Sequence, residues 1–198
     1  MTRPNATTIY GIDTEMHPAN DLFVLSVDPG GVQLIDDYRD PSVTANSGIL
    51  HYDATTGYLY SDYGQVINPS TGAAVGSFPT NTVQGGYSIG GVMVPDGKLN
   101  IAYFVGQTAE SEVYGECALE AFDLTHFTLV GAVPIPNVVG SPVKLIRWGS
   151  SGLALLTQDK VYLISGAFVT SPAAQNRGGS SLMMMSVKPS SIPVATLE

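Results

Sequence analysis

The sequence predicts an all-β fold of four repeated units, and three observations carry that prediction. First, a beat of strand, turn and strand recurs four times, over 23–35, 64–76, 118–131 and 160–169. The residues at its turns, Asp28, Asn68, Asp123 and Ser165, are spaced by 40, 55 and 42 positions. Second, the 22 glycines and 13 prolines fall between short apolar runs, as turn residues do in all-β chains. Third, apolar residues alternate or run in short stretches, and no helical spacing persists over two turns, so almost no helix is expected. Repeats of this length, each holding several short strands, are the pattern of β-propeller blades made of antiparallel four-stranded sheets.

The blades are read at 7–40, 44–80, 87–136 and 140–170, together a propeller region over 1–170. In the first, 7–12 is a strand, and 22–27 with 32–36 form a hairpin across Asp28, Pro29, Gly30 and Gly31. The second is the most regular, with strands at 49–52, 58–61, 65–67 and 74–78. The third opens on Gly91, continues through a buried-type strand at 99–105, and closes with 118–122 and 128–133. Its insertion at 106–114, carrying Glu110 and Glu112, reads as a projecting loop. The fourth contains strands at 143–148 and 152–157 and a last hairpin at 160–169. Trp148 lies in an apolar strand context, which predicts a core position. The tail, 171–198, is linker-like in its first part, with one more possible strand at 182–187. That strand is the candidate to complete the first unit, which lacks an innermost strand.

Composition narrows the function. A net charge of −9, with only 8 lysines and arginines, argues against nucleic acid and against an anionic membrane surface. No apolar run approaches the length of a membrane span, and the N-terminal residues lack an apolar signal core. Cys117 is the single cysteine, so no intrachain disulfide can form.

The residues Tyr10 to Ile12, Leu25 to Val32, Ile67 to Gly72 and Ile146 to Ala154 together resemble the C-terminal blades of bacterial extracellular β-propeller repeat proteins of the YVTN/NHL-like kind. The resemblance covers about 7–170. It implies a secreted or cell-surface setting, often beside Ig-like domains. Whole propellers of that kind have about seven blades, within the usual range for the architecture. The chain therefore looks like the second half of a propeller, with a blade face left open at each end. Two copies could close a ring of eight by two-fold symmetry.

No residue set announces a reaction. His17, His51 and His126 occupy different repeat positions, so no metal site is expected from them, and no cofactor. The acidic loops around Asp36, Asp37, Asp40, Asp53 and Asp62 lack the spacing of a calcium loop. There is no Gly-x-Ser-x-Gly elbow, and Cys117 sits on an expected strand with no histidine nearby. Asp28, Asn68 and Asp123 are expected to be structural, their side-chain oxygens accepting from backbone N–H groups two residues on. The aromatic candidates for binding are Tyr58, Tyr60 and Tyr63; the competing role for them is packing between blades.

The expected function is a non-enzymatic interaction or scaffold module, which binds protein or glycan or assembles with itself. Its partners would be a second copy, as in a homodimer, or missing N-terminal blades. The alternative is a propeller enzyme of the lactonase or lyase type, with its site in the central channel.

Overall fold

The computed structural model describes residues 2, 5–12, 21–39, 48–79, 91–107, 117–171 and 183–187. Fifteen strands among these residues form four antiparallel sheets. The first holds β1 (Thr8–Ile12), β2 (Leu22–Asp28) and β3 (Gly31–Tyr38) in that order. The second runs β4 (Leu50–Tyr52), β5 (Leu59–Ser61), β6 (Gln65–Ile67) and β7 (Ala74–Ser77). The third runs β8 (Val92–Asp96), β9 (Ile101–Gln107), β10 (Cys117–Asp123) and β11 (Leu129–Ile135). The fourth runs β12 (Pro142–Trp148), β13 (Gly152–Thr157), β14 (Val161–Ser165) and β15 (Met183–Val187).

Each sheet is a meander in chain order, and successive sheets meet through their leading strands. β1 lies against β4, β4 against β8, and β8 with β9 against β12. Meanders packed face on face, with first strands clustered, make a partial β-propeller of four blades. Prolines obey the edge rule, since Pro95, Pro134 and Pro142 all lie on the outermost or innermost strand of their sheets.

Three apolar layers fill the spaces between neighbouring sheets. Leu22, Leu50, Leu59 and Ile67 occupy the first, ringed by Tyr10, Tyr38 and Tyr52. The second centres on Phe78, whose ring lies 5.4 Å from Phe104, 5.6 Å from Phe122 and 5.4 Å from Phe127. The third is the largest and joins Tyr103, Leu119 and Val133 to Leu145, Leu155 and Ile164. Close approaches between blades require glycine at two turns. At Gly72, φ is 68° and a Cβ would strike the Tyr38 side chain, whose hydroxyl donates to Ser70 O at 2.9 Å. At Gly97 a Cβ would strike the Asp53 carboxylate, to which the Gly97 N–H donates at 3.0 Å.

Three expectations need correction. The last hairpin does not form, because 167–170 is a single helical turn, α1 (Ala167–Thr170). Both Phe168 and Val169 are buried there, the Phe168 ring 6.5 Å from that of Tyr103, whereas an extended strand would turn one of the two outward. The outer strand of the fourth sheet is β15 instead, paired with β14 from Val161↔Val187 to Ser165↔Met183. β15 therefore does not complete the first sheet, where Thr2 makes a single antiparallel bridge to Tyr10. Trp148, expected in the core, is 53% exposed. It pairs with Gly152 on the same side as Ile146, while Leu145 and Arg147 take the side facing the third sheet. The strand is apolar on both sides, and only the presence of a neighbouring sheet decides which side is buried.

Candidate functional site

The turns that follow β4, β8 and β12 converge at one end of the stack and enclose a cleft of about 470 Å³, lined in part by Asp53, Thr55, Asp96, Lys98, Arg147 and Ser150. Asp53 Oδ1 accepts from Thr55 N at 2.9 Å and Thr56 N at 2.8 Å, while Oδ2 accepts from Gly97 in the next blade. Asp96 Oδ1 accepts from Leu99 N at 3.1 Å, and its Oδ2 lies 2.9 Å from Arg147 Nε, again in the next blade. The remaining guanidinium nitrogens donate to Val169 O and Ser150 O, each at 3.2 Å, and the group sits 5.7 Å from the Tyr103 ring centre. Burial pushes the Tyr103 hydroxyl well above its ordinary pKa, against the pull of Arg147, and that hydroxyl donates to Val169 O at 2.9 Å. Asp53, Asp96 and Arg147 are thus engaged in tying blades together. Three of the five guanidinium N–H donors and both oxygens of each carboxylate are held by these contacts within the protein.

Asp28, Asn68 and Asp123 lie at the turns between the last two strands of their sheets. Asp28 Oδ1 accepts from Gly30 N at 2.7 Å, and Asn68 Oδ1 from Ser70 N at 2.9 Å. Asp123 Oδ1 accepts from Thr125 N at 2.8 Å and His126 N at 2.7 Å, with the His126 ring nitrogen 3.1 Å away. Burial opposes ionisation of Asp123, but the His126 and Thr125 N–H groups outweigh it and hold the carboxyl below its ordinary pKa.

The tyrosines separate. Tyr60 is fully buried in the second apolar layer, its hydroxyl donating to Thr56 Oγ1 at 3.0 Å, so it has no surface to offer a ligand. Tyr58 packs against the same layer, and Tyr63 alone of the three is exposed. His51 Nε2 lies 2.8 Å from Asp62 Oδ1, which also accepts from Met93 N at 3.2 Å across the blade boundary. Cys117 is buried, and burial raises its thiol pKa, which opposes a nucleophilic role. Among the described residues no group of three or more His, Cys, Asp or Glu could hold a metal ion, and no helix is long and apolar enough to cross a membrane. His17, Asp40, Glu110 and Glu112 lie outside the described residues.

The other feature of the surface is apolar. On the outward side of the first sheet Val32 and Leu34 are 60% and 57% exposed. On the outward side of the fourth, Ile146, Trp148 and Leu156 share a face with the exposed Met183 and Met185 by register. Sequence reasoning anticipated open blade faces but missed the clamp of Asp53, Asp96 and Arg147. A signal was present: Asp53 directly follows, and Asp96 ends, the leading strand of a blade, 43 positions apart.

Fold and surface together define the chain as a partial β-propeller. No protein-family model and no curated protein match it in sequence. Among solved structures it is similar to the dihydro-heme d1 dehydrogenase NirN in complex with DHE, at 16% identity and a TM-score of 0.41. That similarity covers 89% of this chain and 36% of NirN, so the chain spans about a third of the length of that protein.

Proposed function

We propose that this chain is a non-enzymatic interaction and scaffold module which works by burying the outer faces of its first and fourth sheets against a partner. One observation carries the reading. Exposed large apolar side chains gather on these two sheets, with Val32, Leu34 and Ile35 on the first and Val143, Ile146, Trp148, Leu156, Met183 and Met185 on the fourth. Contiguous apolar surface of this kind marks contact surfaces. Exposed turns and Tyr63 leave room for protein or glycan contacts beside it. The engaged state of Asp53, Asp96 and Arg147 weighs against the lactonase or lyase alternative. From the resemblance to YVTN/NHL-like propellers, the setting we propose is a secreted or surface protein of a bacterium.

The test uses the fluorescent apolar dye 8-anilinonaphthalene-1-sulfonate on the dilute native chain. Dye should bind, and Ile146→Glu together with Leu34→Lys should remove most of the binding without changing the melting temperature. A native chain that binds no dye at a concentration where it is monomeric, or binds it equally with both substitutions in place, overturns the reading.

A further inference from the structure

We infer that the outer face of the fourth sheet docks on the outer face of the first sheet of a second copy, head to tail, so that two copies close one ring of eight sheets. The inference rests on the interaction-module reading and names its partner. Every sheet has two unlike faces, because successive residues of a strand point to opposite sides. Inside the chain the contacts always join a forward face to a backward face. The forward face of the third sheet, with Tyr103, Leu119 and Val133, takes the backward face of the fourth, with Leu145, Leu155 and Ile164. The second layer repeats this, with Tyr60 and Val66 forward and Met93, Phe104 and Phe122 backward.

Among the described residues the surfaces left over are one of each kind. Register puts Ile146, Trp148 and Leu156 with Met183 and Met185 on the forward face of the fourth sheet. It puts Ile9, Phe23, Leu25 and Val27 with Val32 and Leu34 on the backward face of the first, opposite the side that Tyr10, Ile12 and Leu22 turn to the second sheet. The uncovered pair thus continues the series of contacts already made three times within the chain. Pairing two copies by a two-fold axis uses both surfaces twice, and the entropy of association is spent once for two contacts. Eight sheets is within the range of closed propellers. Fourth-face to fourth-face pairing would join two forward faces, an arrangement the chain nowhere uses, and would leave both first sheets open.

The experiment is mass measurement by light scattering across a concentration series, on the full chain and on two variants. Ile146→Glu blocks the forward face and Leu34→Lys the backward face. Wild type should reach twice the monomer mass, and each variant alone should remain monomeric, since each lacks one half of both contacts. An equimolar mixture should recover dimer, because one wild-type forward face then meets one wild-type backward face. The mixture should associate at least tenfold more tightly than either variant alone. Far-ultraviolet circular dichroism confirms that each variant folds; Met185→Glu and Val32→Lys replace any that does not. Retained dimer in Leu34→Lys overturns the inference in favour of like-face pairing, and a mixture that stays monomeric overturns it too. So does growth beyond the dimer, which signals an open chain of copies. A monomeric wild type that still binds dye overturns the second copy alone and leaves the faces to sheets of another chain; a wild type that neither associates nor binds dye overturns the interaction reading as well.

Discussion

The second strands of the third and fourth sheets are built from similar residues and end in different surroundings. In β9 the run Ile101 to Val105 is buried at every position, the odd residues toward the fourth sheet and the even ones toward the second. In β13 burial alternates: Leu153 and Leu155 are fully buried, Ala154 is partly covered, and Leu156 is 37% exposed. Both strands are apolar on each side, β9 with Tyr103 and Phe104 and β13 with leucines. The difference is that, among the described residues, the third sheet has a neighbour on each side and the fourth has one. Burial, and with it stability, is a property of the stack, and the terminal sheets hold in reserve the surface that the middle ones have already used.

The contrast can be broken by truncating one aromatic residue in each place. Phe122→Ala, between the second and third sheets, should cost about 3–5 kcal/mol in urea unfolding, as for a buried aromatic that leaves a cavity. Trp148→Ala on the open face should change the stability of the dilute chain by no more than about 0.5 kcal/mol. Equal costs would show that the outer face is packed after all. Trp148 is the single tryptophan, so its emission in dilute native protein should be red-shifted and readily quenched.

Next in size is the clamp that holds the fourth sheet to the third. Arg147→Ala should cost roughly 3 kcal/mol, because it leaves the Asp96 carboxylate half-buried without its partner, frees the carbonyl of Ser150 and leaves that of Val169 with the Tyr103 hydroxyl alone. Hydrogen exchange should then rise in β12 to β14 and leave the first sheet unchanged. A uniform rise through all four sheets would mean that blades unfold together rather than from the end.

Smaller effects are expected at the turns. Asp123→Ala should cost about 0.5–2 kcal/mol at neutral pH, by analogy with losing a helix-capping oxygen. Asp123→Asn should cost less, since Asn68 holds the equivalent turn with an amide. The native carboxyl of Asp123 ionises at lower pH than in the unfolded chain, so its contribution is present at neutral pH and is lost as pH falls through the lowered native value. The difference between wild type and Asp123→Asn should therefore shrink in acid, and a difference that persists there would show that charge is irrelevant.

The smallest effect concerns Glu120, buried on the third sheet, where burial raises its pKa. The folded chain keeps that proton to higher pH than the unfolded chain, so stability is lost as pH rises through the native value. Glu120→Gln should stabilise the protein at neutral pH, and the gain should vanish below the ordinary carboxylate range, near about pH 4. A gain independent of pH would point to packing instead.

Much of the fold was legible in the chain. Pairs such as Asp28 with Gly30 and Asn68 with Ser70 are local, two residues apart, and their chemistry can be read from spacing alone. The clamp between Asp96 and Arg147 was not legible, because it joins two blades across 51 positions and no local rule links them. Tyr58, Tyr60 and Tyr63 could be seen to cluster, but whether each faced a neighbour or solvent depended on sheets the cluster does not contain.

By itself the sequence determined the strands, the turns between them and the order of the four sheets, since these depend on backbone preferences and contacts within about a dozen residues. Tertiary structure decided which side of each strand is core, that Ala167–Thr170 coils inward, and that β15 rather than that segment edges the fourth sheet. Those outcomes depend on which surfaces meet across the stack, and a strand apolar on both sides carries no mark of which one will find a neighbour.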